Sequence, residues 1–325
     1  MEGRILNRHQ FSRKGFLAGS MALAASAATA KRAAAQTLET VNVAVVPIVV
    51  CALPYYATDL GIFHDAGIDP KITAMKNGDA IIAGVLSGSI DFGFSNAFSL
   101  AIAHEKGIPV KILFGTEIAG QNPTNGILTV LKNSPVVHPK DLNGLTVAVS
   151  SLGSTNMFAV ENWIDKGGGD AKTVKYVEVP APLMADTLLS RRVDAASMDA
   201  VNLAYRKDQL RELAPTYSSI APRFIGGGYV ATAAWIDAHH DLAMRIIGCL
   251  RKTAIYANSH KAETQKLYAS HSRFTLADVL SAPFPTYSTE PSPEMIQPLI
   301  DLASRYGAIK QSFPARDLIS TIAAT

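Results

Sequence analysis

The feature that most constrains this chain is a stretch that it contains twice. Segments 86–100 (LSGSIDFGFSNAFSL) and 189–203 (LSRRVDAASMDAVNL) align without a gap. Leu86, Ser87, Asp91, Ala97 and Leu100 are matched by Leu189, Ser190, Asp194, Ala200 and Leu203, and Ile90 by Val193. Each copy reads as the end of a helix, a short turn, a buried strand (90–94 and 193–198), a polar residue and a new helix. Ligands of open α/β sheets sit at the carboxyl ends of such strands. Ser95 and Asn96 in the first copy, and Asp199 with Asn202 in the second, are therefore candidate ligand-binding residues. Two similar α/β units facing each other predict an α/β fold of two lobes, a clamshell.

The chain around the repeat has the same alternation. Residues 41–46 (VNVAVV) form a β-branched run, the pattern of a buried parallel strand. The loop after it leads into a helix at Tyr55 and Tyr56, which the first strand-to-helix connection makes candidates for the ligand site. A strand at 71–75 and a helix at 80–87 feed the first copy; a helix (98–106), a strand (110–114), Thr116 and a polar loop at 121–125 follow it. The strand 127–131 is read as the first crossing into the second lobe, and 229–235 as the strand that returns. The expected organisation is an export segment at 1–35, one lobe from 36–126 and 229–325, and the other from 127–228. The glycine run Gly226, Gly227 and Gly228 is placed to give a hinge freedom. Most of the C-terminal stretch reads as helix, and Tyr287 is placed to reach the cleft.

The strongest chemical signal lies after the strand that ends at Ser150. Gly153 permits a tight turn, Ser154 or Thr155 can cap the helix running to Lys166, and free N–H groups with the helix dipole favour an anion. Ser151, Gly153, Ser154 and Thr155 join the candidate set, with Thr116. No lysine follows in the spacing of a P-loop, so a nucleoside triphosphate is not implied. The chain has no CxxC, HExxH or clustered His/Cys spacing; no metal and no cofactor are expected. Cys51 and Cys249 read as two buried small hydrophobes, although export would permit a disulfide.

Residues 1–35 have the anatomy of an export signal: a basic stretch, an apolar alanine-rich run over 16–30, and Ala33, Ala34 and Ala35 before Gln36. Residues 12–17 (SRKGFL) resemble the twin-arginine motif with a lysine in the second arginine's place, and the general secretory route stays open. The apolar run falls short of the roughly 20 residues of a membrane span. The whole chain has 30 basic and 27 acidic side chains. Residues 1–35 hold six and one of these, leaving 24 and 26, a net charge of −2. The basic balance thus belongs to the signal, and nucleic acid is not an expected partner.

Segments 61–69 (GIFHDAGID), 86–91 (LSGSID), 141–149 (DLNGLTVAV) and 305–309 (RYGAI) together resemble the sulfonate/nitrate/taurine and thiamine-pyrimidine-precursor binding proteins of ABC importers. The resemblance runs from about Val41 to Leu318. It implies a type II periplasmic-binding fold with two chain crossings, a small anionic solute trapped between lobes, and delivery by a monomeric periplasmic protein to an inner-membrane ABC permease. It also implies that the first loop, Ser95 and Asn96, the helix start at 151–155 and the region of Asp199 face the ligand. Helix-start donors favour a carboxylate or sulfonate, and Tyr55 and Tyr56 would tolerate an aromatic body. An exported enzyme, a thiamine-pyrimidine-related protein, or a protein that presents its ligand to a membrane sensor would share this fold. No nucleophile elbow and no close Ser/His/Asp set favours the enzyme, and binding without turnover is the expectation.

Overall fold

The computed structural model describes residues 38–120 and 124–323; the expected export signal, and residues 121–123 of the polar loop, lie outside them. Strand β1 (Glu39–Val45) runs parallel to β2 (Ile68–Ala74) on one side and β3 (Phe92–Asn96) on the other. Val43, Ala44 and Val45 of β1 are fully buried, so both faces of the strand are covered toward its carboxyl end. Helices α1 (Leu53–Asp59) and α2 (Ile62–Asp65) connect β1 to β2, and α3 (Gly78–Ser87) connects β2 to β3. Helix α4 (Ala97–Glu105) then leads to β4 (Val110–Gly115).

After β4 the chain leaves through the short strand β5 (Ile118–Gly120) and builds a second sheet. Its strands are β6 (Ile127–Leu131), β7 (Thr146–Val149), β8 (Lys175–Glu178), β9 (Ala195–Met198) and β10 (Leu210–Pro215). Helix α5 (Thr155–Lys166) follows β7, α6 (Met184–Leu189) precedes β9, and α7 (Ala200–Tyr205) follows it. The chain returns through β11 (Arg223–Ile225), which pairs antiparallel with β5, and inserts β12 (Gly227–Thr232) into the first sheet. Helices α8 (Ala233–Ala238), α9 (His240–Ser259), α10 (Lys261–Ser270), α11 (Leu276–Leu280) and α12 (Pro293–Arg305) complete the described residues together with short 3₁₀ turns.

The first sheet has the order β2-β1-β3-β12-β4 and the second β8-β7-β9-β6-β10. In each, three parallel strands are followed by an antiparallel strand that comes from across the β5/β11 pair. The sequence repeat is the visible part of this correspondence. Asp91 and Asp194 do the same work in the two copies. The Asp91 carboxylate accepts the N–H of Asn42 at 2.7 Å, and that of Asp194 accepts the N–H of Thr146 at 2.8 Å. Each pins the turn before the third parallel strand to the middle one of the three, β1 or β7. Asn96 and Asp199 then cap the next helix, accepting from Ser99 N–H and from the N–H groups of Val201 and Asn202.

A continuous core underlies the first sheet, and the second has one on each face. Leu128, Val147, Val160 and Ile164 fill one side of the second sheet; Met184, Leu188, Met198 and Leu210 fill the other. Both cysteines are buried and free. Among the described residues, no helix is long and apolar enough to cross a membrane.

The strand at 127–131 stands as β6 in the second sheet, preceded in the chain by β5 of the β5/β11 pair. Two expectations change. The strand read as 229–235 ends at Thr232, whose side chain accepts the Trp235 N–H and starts α8. The glycine run is not a free hinge. A Cβ on Gly227 would lie 2.4 Å from the Ser95 carbonyl oxygen, and one on Gly228 would lie 2.8 Å from that of Phe114. These glycines let β12 fit between its neighbours.

Candidate functional site

The loops after the carboxyl ends of β1, β3 and β7 enclose a cavity of about 50 Å³. The first sheet and its loops supply Val46, Ile48, Val50, Asn77, Gly78, Phe94, Asn96, Thr116, Glu117 and Gly226. The second supplies Asn125, Ser150, Ser151, Ser154, Asn156, Ala181 and Tyr217. No lysine, arginine or histidine is among the described residues that line it. Groups from the two sides bond across its edge. Asn77 Nδ2 donates to Glu178 Oε1 at 3.0 Å, the Ser151 hydroxyl donates to Asp79, and Thr155 Oγ1 approaches Asn96 Oδ1 at 3.5 Å.

On the second side a polar network is held in place. Ser154 caps α5 by accepting the Met157 N–H, and the turn before it takes Gly153 through φ +79°, a conformation that suits glycine. Tyr217 Oη donates to Asn156 Oδ1 at 2.9 Å, and Asn156 Nδ2 donates to Ser197 Oγ at 3.2 Å. On the first side stands Glu117, 2 % exposed, taking a hydrogen bond from the Thr124 hydroxyl. Burial pushes its carboxyl up to about 7, against the lowering by Thr124, and the Asp199 carboxylate pushes in the same direction. Thr116, beside it, donates to the Gly227 carbonyl.

A second cavity, of about 170 Å³, shares Val46 and Ile48 with the first. Tyr55, Tyr268, His271, Arg273 and Phe274 line it. Tyr55 stacks on His271 with ring centroids 4.5 Å apart, and His271 Nε2 lies 2.7 Å from Asp59 Oδ2. Arg273 reaches across to the other side, to Asp186 at 3.2 Å and Asn202 Oδ1 at 3.3 Å, and lies over the Tyr205 ring.

The candidate residues fall into four groups. Asn96, Thr116, Ser151 and Ser154 line the inner cavity, and Tyr55 lines the outer one. Gly153 and Thr155 shape and edge the inner cavity without appearing on its wall. Ser95 is buried behind it, against Gly78, with no hydrogen-bond partner for its hydroxyl among the described residues. Tyr56, Asp199 and Asn202 do not reach either wall. Tyr56 is a core side chain edge-on to Tyr287. Asp199 spends one oxygen on the N–H groups of α7 and the other on Asn202 Nδ2 at 2.6 Å. Tyr287 also stays in the core, donating to the Val49 carbonyl. Glu117, Asn125, Asn156 and Tyr217 line the cavity without having been singled out in the sequence. Only the polar pair Thr116 and Glu117 directly after a buried strand hints at any of them.

Two facing α/β sheets, joined by paired strands around a shared cavity, define the type II periplasmic binding protein fold. The chain belongs to the NMT1/THI5-like family, whose model matches residues 50–264. In sequence, no curated protein matches it. Solved structures do. The ligand-binding component of an ABC-type import system from Staphylococcus aureus, solved with zinc bound, superposes with a TM-score of 0.74 at 15 % identity, covering 87 % of this chain and 96 % of that one. The periplasmic aliphatic sulphonate binding protein SsuA from Escherichia coli gives 0.67 at 14 % identity, covering 87 % and 92 %. The periplasmic nitrate-binding protein NrtA from Synechocystis PCC 6803 gives 0.71 at 13 % identity, covering 88 % and 86 %. These neighbours are binding proteins, and they share the fold. Among the described residues, no group of three or more His, Cys, Asp or Glu is placed to hold a metal ion.

Proposed function

We propose that this chain is the solute-binding component of an ABC importer, exported to the periplasm and acting without turnover. It captures a small organic acid between the half built on the first sheet and the half built on the second, and hands it to an inner-membrane permease. The observation that carries this reading is the shared wall: both repeat-related sheets contribute to one cavity. A solute there contacts both halves only when they are together, and such differential contact is what shifts an open–closed balance. The solute's acid group belongs at the start of α5, near Ser154 and Thr155, where the helix dipole favours negative charge. An aromatic or apolar remainder has room against Tyr55 in the outer cavity.

The test is a thermal-shift screen of the protein with sulfonates, aliphatic and aromatic carboxylates, nitrate and pyrimidines, followed by mass spectrometry of each hit. A ligand at roughly 100 times its Kd adds about 2.7 kcal/mol of stability. A hit recovered chemically unchanged supports a receptor, and a hit that is consumed makes the protein an enzyme. The double variant Ser154→Ala/Thr155→Ala should bind that hit more weakly by about 1–3 kcal/mol. Unchanged affinity would remove the α5 start from the site.

A further inference from the structure

The inner cavity is unusual for a receptor of acids, because its one ionisable wall residue with a carboxyl group is Glu117. The titratable and charged groups that act on or respond to Glu117 are Asp199, Cys51 and Tyr217, and none of them is a cation. Asp79 and Glu178 add two carboxyl groups at the cavity's edge, where Lys76 lies 3.4 Å from Glu178. A buried carboxylate that meets only neutral and acidic neighbours is costly, whereas one facing a cationic N–H group is strongly favoured. Thr124 supplies one donor to Glu117. The cavity that Glu117 lines has a volume of about 50 Å³ and reaches Ser154 on the opposite side.

We propose that Glu117 is a ligand-reading residue that accepts hydrogen bonds from a cationic N–H head of the solute, an amidinium, guanidinium or ammonium group. The solute is thus amphoteric, with its acid group toward Ser154 and its N–H group toward Glu117, both on the cavity wall. A second acid group in place of the N–H head is rejected, because it would confront Glu117 directly. Such rejection is specificity by an unfavourable contact as much as by a favourable one. This inference rests on the solute-receptor reading and narrows its ligand class.

Isosteric pairs test it. An amidinium and a carboxylate are both planar, and they differ in charge and in donating rather than accepting hydrogen bonds. The probes are 3-amidinopropanoate against succinate and 4-amidinobenzoate against terephthalate, measured by thermal shift and calorimetry. The amidino acid of at least one pair should bind at least tenfold more tightly than its dicarboxylate. Glu117→Gln, which keeps the shape, should erase that preference. Affinity for the amidino acid should also rise as pH is raised through about 7, where Glu117 ionises, and stay flat in Glu117→Gln. A dicarboxylate that binds as well or better overturns the inference and leaves the receptor reading standing. Silence from both pairs overturns it too, and the broad solute screen then decides the receptor reading separately. The paired comparison on the unmodified protein needs no variant, so a Glu117→Gln chain that fails to fold does not shelter the idea.

Discussion

Glu117 makes its own prediction for the ligand-free protein. Burial pushes its carboxyl up to about 7 in the folded chain, above the ordinary value of about 4.5. Below the unfolded value both states hold the proton, and burial costs nothing extra. As pH rises from about 4.5 through about 7, the unfolded chain releases its proton more readily than the folded one, so stability falls over that window. Melting temperatures between pH 4.5 and 8 should show this fall in the unmodified chain and a smaller one in Glu117→Gln. Equal slopes would mean that Glu117 ionises as readily folded as unfolded. In the sequence the only local mark of this residue is its place beside Thr116 directly after a buried strand. Glu117 lies next to Thr116, and its burial depends on Thr124 and the cavity wall, which assemble only in the fold. Tyr55 and Tyr56 make the same point from the other side. Adjacent helical residues point about 100° apart, so one lines the outer cavity while the next packs in the core.

At the scale of elements the sequence is far more informative. Strand β1, β6, helix α5 and both copies of the repeat stand close to where residue pattern puts them, because buried parallel strands and capped helices are locally encoded. What pattern misjudges is the use of glycine. Gly226 has open space, with its nearest neighbour 3.9 Å from a built Cβ, while Gly227 and Gly228 are pressed against backbone oxygens of β3 and β4. Gly227→Ala and Gly228→Ala should each destabilise the protein by about 2–4 kcal/mol, whereas Gly226→Ala should cost under about 1 kcal/mol. Urea denaturation of the three variants separates these outcomes, and three similar midpoints would contradict the packed β12 described above. The repeat gives a paired prediction. Asp91→Asn and Asp194→Asn each exchange a carboxylate acceptor for an amide at equivalent turns, and each should cost about 1–2 kcal/mol. Asp91 should be the costlier, since it also accepts the Trp235 indole N–H at 3.0 Å.

For the whole molecule, the balance between the two halves follows from what holds them together away from the solute. Beyond the β5/β11 pair, the contacts are of uneven worth, and apolar side chains of both halves share one core cluster. Phe98 stacks on Phe158 with centroids 4.5 Å apart, Tyr306 Oη donates to Asp165 at 2.9 Å, and Arg273 meets Asp186 and Asn202 beside the outer cavity. The ring stack is worth about 0.5–1.5 kcal/mol, and a partly exposed ion pair such as Arg273 with Asp186 about 0–1 kcal/mol. Losses of this size move an open–closed ratio by a few-fold without unfolding either sheet. Phe98→Ala removes core as well as contact, so it cannot separate the two effects; Arg273→Gln removes the bridge and leaves both cores intact. Without solute, Arg273→Gln should therefore increase the radius of gyration in solution scattering while changing the melting temperature little. Saturating solute should return it to the compact value, at the cost of an apparent affinity reduced in proportion to the closed fraction. An unchanged radius with reduced affinity would instead make Arg273 a direct contact of the solute in the outer cavity.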